Sequence, residues 1–104
     1  MLLQYHEIEK DLKMIVDVRE IHEFQAEHIE GSINIPLSQL PELSLEFFKD
    51  YPQEPIIILC RMGPRAERAR QYWLENDFCD PERMTVYQGG ISAWKADGNP
   101  VHGG

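Results

Sequence analysis

The stretch IIILCRMGPRAERAR, from Ile56 to Arg70, decides the fold. Its first part, Ile56 to Cys60, is an apolar run rich in β-branched residues, bounded by Pro55 on one side and a charge on the other. A strand covered on both faces of a parallel sheet reads this way. Its second part starts a helix, because Pro64 suits the first helical position, where an amide proton would lack a partner and the fixed φ is already helical. At about 3.6 residues per turn, Ala66, Ala69 and Trp73 fall on one face, small near the start so that the helix can lie close to a sheet. Arg65, Arg68 and Tyr72 then point elsewhere. The pattern predicts a strand, a turn at Cys60 and a helix from Pro64 to Asn76.

Outward from this stretch the same alternation repeats. Met14 to Val18 (MIVDV) reads as a second central strand, while Ser32 to Pro36 (SINIP) and Met84 to Tyr87 (MTVY) are weaker strands beside a glycine or proline. Helical patterns occupy Ile21 to Glu27, Ser44 to Asp50 and Ile91 to Ala96. Strand and helix alternate, which defines an α/β class. Pro41, Pro52 and Pro55 read as punctuation of connections, and no repeat, low-complexity tract or linker interrupts the pattern. With 104 residues, 42% of them hydrophobic, the chain can bury one modest core, so a single domain spanning residues 1–104 is expected.

A formal charge of −8 argues against nucleic acid or an anionic membrane as partner, since a polyanion is repelled over most of such a surface. The arginine cluster is a local exception. The two cysteines, Cys60 and Cys79, are too few for a disulfide scaffold and lack zinc-ligand spacing. The start, MLLQYHEIEK, has acids where a signal peptide needs an apolar core, and no uninterrupted apolar run approaches the roughly 20 residues that span a bilayer. A soluble cytoplasmic protein with free thiols and no metal is expected.

Cys60 falls at the carboxyl end of a buried strand, where loop amides and a helix N-terminus converge. Such a setting, with guanidinium groups nearby, favours a thiolate and makes the sulfur a nucleophile. A lone cysteine ending a strand is ordinarily a small core residue. The residues that follow reverse that reading. Gly63 can take positive φ and lets backbone approach the sulfur, and Arg61 and Arg65 supply cations for which a buried structural thiol has no use. Arg68 and Arg70 read as a solvated face.

CRMGPR resembles the active-site loop of the rhodanese-like sulfurtransferases, a cysteine followed by a short loop of the form CxxGxR that opens a helix. Four other segments resemble that family in order and spacing: DVRE from Asp17 to Glu20, EF at Glu23 and Phe24, HIEGSINIP from His28 to Pro36, and YQGGISAWKADGNPV from Tyr87 to Val101. Together they cover most of the chain. The resemblance implies a rhodanese-like fold, a central five-stranded parallel sheet flanked by helices on both faces, and transfer of a sulfane sulfur through a persulfide on Cys60. It implies a small anionic donor such as thiosulfate and a thiol or cyanide acceptor, or a sulfur-relay protein, with no cofactor. The backbone amides of Arg61, Met62, Gly63, Arg65 and Ala66 would then hold the sulfur anion, and Arg61 and Arg65 would bind the donor.

Two neighbouring readings use the same residues. A phosphatase or arsenate reductase of this fold needs a loop one residue longer between cysteine and arginine, and a non-enzymatic persulfide carrier would use the same Cys60. The sequence departs from the family in three places. The roughly ten residues ahead of Met14 are short for the edge strand and helix usual there. Ala66 stands where a hydroxyl residue is common, and Pro64 has no amide hydrogen.

Other conspicuous residues have structural readings. Asp17 and Arg19 brace the sheet-end loops as an internal ion pair, and His28 is a hydrogen-bonding residue before a glycine turn. Gly89 and Gly90 form a tight turn that lets a short helix pack, with Trp94 in the core. Cys79 is expected in a loop, its thiol pKa raised by adjacent acids. Gly103 and Gly104 are expected to fray.

Overall fold

The computed structural model describes residues 14–103. The elements follow in the order β1 (Met14–Asp17), α1 (Ile21–Ala26), β2 (Ile33–Asn34), α2 (Leu40–Asp50), β3 (Ile56–Leu59), α3 (Pro64–Glu75), β4 (Met84–Val86) and α4 (Gly90–Ala96). Every strand pairing is parallel and the sheet order is β2-β1-β3-β4, with Val16 opposite Ile58 at the centre. Against the five strands expected, the described residues hold four. The N-terminal edge, where the fifth was expected, lies outside them.

Side chains of β3 alternate between two cores. Ile56, Ile58 and Cys60 pack with Phe47 and Phe48 of α2 and with Ala66, Ala69 and Trp73 of α3. Ile57 and Leu59 pack on the opposite face with Tyr87 and with Ile91 and Trp94 of α4. Helices therefore cover both faces, and the Ala66–Ala69–Trp73 face is the buried one, as the spacing predicts. Ile56, Ile57, Ile58 and Leu59 are all at most 1% exposed, and each such side chain stabilises the fold by roughly 1.5–3 kcal/mol. Trp73 takes its indole N–H into this layer only because buried Ser44 accepts it, at 2.8 Å.

Boundaries move where side chains or prolines redirect the backbone. β2 is shorter than SINIP suggests: Asn34 turns its amide onto the carbonyls of Asp17 and Arg19, both at 2.9 Å, and Pro36 brings no N–H to extend the ladder. α2 starts at Leu40 rather than Ser44, with Pro41 in its first turn instead of outside it, a place where proline loses no helical bond. The tail does not fray at Gly103. His102 exchanges backbone hydrogen bonds with His28 (2.6 and 2.7 Å), and a Cβ on Gly103 would lie 2.5 Å from the Ala26 carbonyl oxygen. Gly104 lies outside the described residues. Among those residues no helix is long and apolar enough to cross a membrane.

Candidate functional site

Cys60 follows the last residue of β3 and is 1% exposed. Its Sγ accepts a hydrogen bond from the Gly63 N–H at 2.9 Å. That bond bends the loop back onto the sulfur, and Gly63 reaches the bend at φ 129°, which L side chains rarely adopt. A Cβ on Gly63 would meet nothing within 4 Å. Backbone does approach the sulfur as expected, through the Gly63 N–H, but it is the dihedral and not lack of room that calls for glycine here. The amides of Arg61, Met62, Arg65 and Ala66 donate to no acceptor among the described residues, and Pro64 has none to give. Met62 projects outward, 66% exposed, whereas Ala66 is fully buried with its methyl in the core.

The back of the loop is fixed by α4. The Cys60 carbonyl accepts the Ile91 N–H at 2.8 Å and the Arg61 carbonyl accepts the Ser92 N–H at 3.1 Å. Here close approach does demand a glycine. A Cβ on Gly90 would lie 2.3 Å from the Cys60 oxygen and 2.4 Å from that of Arg61. The glycine pair is the tight turn expected, and the structure adds what the turn is for: it seats the helix against the backbone of the cysteine itself.

The two arginines proposed for the donor have different fates. Arg65 donates two hydrogen bonds to the Glu23 carboxylate, Nη1 to Oε1 at 2.6 Å and Nη2 to Oε2 at 3.0 Å. This bonding holds the Glu23 carboxyl at about 2, far below its usual value, and raises Arg65 in turn. Arg65 is thus engaged in bracing the loop. Arg61 is exposed and has no side-chain partner among the described residues, so it is the cation available to an incoming anion. The Asp17–Arg19 brace is present as expected, buried, with Nη2 to Oδ2 at 2.8 Å. Arg19 also donates to the carbonyls of Glu23 and Glu27 and so holds α1 against β1.

Beside the loop, between α1 and α4, lies a cleft of about 490 Å³. Arg61 is part of its lining. Ala26 and Ile91 give it apolar surface, Ser92 a hydroxyl, and Glu27, just past the end of α1, an ion pair with Lys95 of α4. Arg19 and Glu23 also reach it, but both are held by the contacts just described. The sequence carried no signal for the Glu23–Arg65 or Glu27–Lys95 pairings, because their members are 42 and 68 residues apart.

The remaining residues keep structural roles. His28 Nδ1 lies 2.8 Å from the Phe24 carbonyl oxygen, and its ring stacks on Phe24. Cys79 lies in a loop with its thiol pKa raised, as expected, but its side chain is buried in the α2–α3 core, and burial more than the neighbouring Asp80 causes the shift.

The chain matches the model of the rhodanese-like domain over residues 3–97. It is 34% identical over 89 residues to the thiosulfate sulfurtransferase GlpE of Pseudoalteromonas translucida, an alignment covering 86% of this chain and 79% of that protein. It is also 34% identical over 91 residues to the adenylyltransferase and sulfurtransferase MOCS3-2 of Zea mays; that match takes in 84% of this chain and spans only 18% of the relative's length. Among solved structures, the rhodanese-related protein from Thermoplasma volcanium superposes with a TM-score of 0.71 at 26% identity, covering 97% of this chain and 96% of that one.

Proposed function

The chain belongs to the rhodanese-like domain family, and from that premise we propose that it is a sulfurtransferase in which Cys60 carries the sulfur as a persulfide. The donor is a small sulfur-bearing anion such as thiosulfate, and the acceptor a thiol or cyanide. The observation that carries this reading is the loop: Sγ already accepts the Gly63 N–H, and four further amides of the same loop have no acceptor among the described residues. A ring of fixed N–H groups beside a sulfur stabilises negative charge on it without reorganisation, as an oxyanion hole does for oxygen.

In the first half-reaction the Cys60 thiolate attacks the outer sulfur of thiosulfate. A bond forms between Sγ and that sulfur, the sulfur–sulfur bond of the donor breaks, and sulfite departs with the electron pair. The loop amides hold the resulting persulfide anion. Arg61, whose side chain has no partner among the described residues, attracts the dianion within an otherwise acidic protein. In the second half-reaction the acceptor removes the outer sulfur and Cys60 returns to its thiolate.

Mass spectrometry after incubation with thiosulfate tests this directly. One added sulfur, about 32 Da, is expected on the peptide containing Cys60, and none in Cys60→Ser. Cys79→Ser should retain most of the transfer, because the Cys79 thiol is buried and held protonated. Sulfur found only on Cys79, or equal loss of transfer in the two variants, would contradict the assignment.

A further inference from the structure

We propose that residues 98–103 form a strap that ties α1 to α4 and thereby holds the Cys60 loop in shape, with His102 and Gly103 as positioning residues for sulfur transfer. The role in transfer rests on the sulfurtransferase reading of Cys60. The strap leaves the end of α4, where the Gly98 N–H reaches the Lys95 carbonyl and the Asn99 N–H that of Trp94. It crosses to the end of α1, where His102 and His28 exchange their backbone hydrogen bonds at 2.6 and 2.7 Å. The family match ends at residue 97 and the resembling segment at Val101, so neither His102 nor Gly103 is supplied by the family pattern.

α1 needs such a tie. It is six residues long, too short to persist by itself, and none of its residues is buried. Polar contacts keep it in place: the Glu20 capping box at its start, Arg19 at the carbonyls of Glu23 and Glu27, and the strap beyond its last turn. His28 carries the hold of the strap inward, its ring stacked on Phe24 and in edge contact with the His102 ring, centroids 5.7 Å apart. Gly103 lies so close that a Cβ would stand 2.5 Å from the Ala26 carbonyl oxygen and 2.6 Å from the Glu27 Cα. A second tie to α4 is the Glu27–Lys95 pair, whose side chains are 35% and 47% exposed; a pair so open to water contributes little. The backbone clasp is the stronger of the two.

Both helices held by the strap reach the cysteine loop. Through α1, Glu23 grips Arg65 in the first turn of α3, at 2.6 and 3.0 Å. Through α4, the N–H groups of Ile91 and Ser92 hold the carbonyls of Cys60 and Arg61, at 2.8 and 3.1 Å. The far end of α4 is fixed to the strap by the Trp94 indole, which donates to the Pro100 carbonyl at 2.7 Å, and by Val101, which packs on the layer of Ile91 and Trp94. With the strap in place the loop is gripped from two sides and its amides stay aimed at the sulfur. Once it is released, α1 can drift with Glu23 and Arg65, and those amides lose their aim although no donor is removed. Arg61 keeps its charge, so attraction of the anionic donor survives and the loss falls on the chemical step.

The test uses the full chain in steady state with thiosulfate and cyanide, at a temperature where circular dichroism shows every variant folded. His102→Pro deletes the N–H given to His28, and Gly103→Ala sets a Cβ against the Ala26 carbonyl. Each should lower turnover about tenfold and keep the Michaelis constant for thiosulfate within about twofold. His102→Ala, which restores the backbone donor, should recover most of the turnover lost in His102→Pro. Placed on Arg65→Ala, where α1 has already lost its grip on the loop, His102→Pro should lower turnover by no more than about twofold further. Unchanged turnover in both strap variants, or the full tenfold loss persisting on Arg65→Ala, would overturn the inference. Amide hydrogen exchange reads the same release without sulfur chemistry: in His102→Pro the Gly63, Ile91 and Ser92 amides should exchange faster while those of β3 stay protected. That pattern in a protein that forms no persulfide would leave the strap standing and sink the sulfurtransferase reading. A persulfide that forms, with those three amides as protected as in the parent chain, would sink the strap alone.

Discussion

Arg65 and Glu23 form a two-pronged ion pair that joins the first turn of α3 to α1, so the arginine nearest the start of the helix braces the cysteine loop instead of facing its mouth. Of the two, Arg61 has no side-chain partner among the described residues. The two arginines should therefore fail differently. Arg61→Ala should raise the Michaelis constant for thiosulfate about tenfold with turnover little changed, as expected when a charged contact to the bound donor is lost. Arg65→Ala should lower turnover and cost about 1 kcal/mol of stability, the pair being partly exposed. Steady-state kinetics and urea melts of both variants decide it, and a Michaelis constant more sensitive to Arg65 would reverse the assignment.

The same pair sets an acid limit. The hydrogen bond from Arg65 holds the folded Glu23 carboxyl at about 2, against an ordinary 4.5. Between those values the unfolded chain binds more protons at this site than the folded one, so stability falls as pH falls. The contribution is complete above pH 4.5 and is lost as pH drops through about 2. Glu23→Gln should flatten the pH dependence of the urea midpoint in that window. An unchanged slope would mean that other carboxylates dominate it.

Gly90→Ala should be among the most damaging single-methyl changes in the chain. The new Cβ meets two backbone carbonyl oxygens at under 2.5 Å, and φ at 60° is unfavourable for alanine in addition. A loss of roughly 2–4 kcal/mol is expected, with slowed sulfur transfer because the displaced carbonyl belongs to Cys60. Gly31→Ala serves as the control, since Gly31 shares a positive φ and its Cβ would meet nothing within 4 Å. It should cost only about 1 kcal/mol. Equal melting temperatures for the two variants would show that contact with the loop is not what matters.

Pro64 withholds one amide from a loop whose proposed work is done by amides. A single donor to a developing anion is worth up to roughly 3 kcal/mol, less where several act together. Pro64→Asn should raise turnover with thiosulfate while lowering the melting temperature slightly, because the turn loses a rigid φ. Ala66→Ser, by contrast, places a hydroxyl where the side chain is fully buried, so it should help only if the sulfur accepts that proton. Slower turnover in Pro64→Asn would mean that stiffness of the loop outweighs its donor count.

What could be read in the sequence was whatever depends on neighbours along the chain. The run Ile56 to Leu59 announces a doubly covered strand because every side chain in it is apolar, and Ala66, Ala69 and Trp73 announce a buried helix face by spacing alone. The place of Cys60 between a strand end and a helix start was legible because Leu59, Gly63 and Pro64 lie within six residues of one another. Pairings across the fold were not. Arg65 looked like a free cation because its partner stands 42 residues earlier, and the raised pKa of Cys79 was ascribed to its acidic neighbours because nothing along the chain shows that its side chain turns into the α2–α3 core. Pro41 misled for a different reason: proline both ends helices and begins them, and only the backbone on either side tells which.

The two indoles of the chain divide themselves between the layers described above, Trp73 under α2 and α3 and Trp94 under α4, on opposite sides of one sheet. Each layer thus carries its own intrinsic fluorophore. Replacing one tryptophan at a time with phenylalanine leaves an optical reporter that watches a single side of the sheet, so emission can reveal whether both sides melt at one denaturant concentration or the side holding α4 loosens first. Because α4 is bonded to the Cys60 and Arg61 carbonyls, an early change in the Trp94 signal would time the release of the cysteine loop without any added probe.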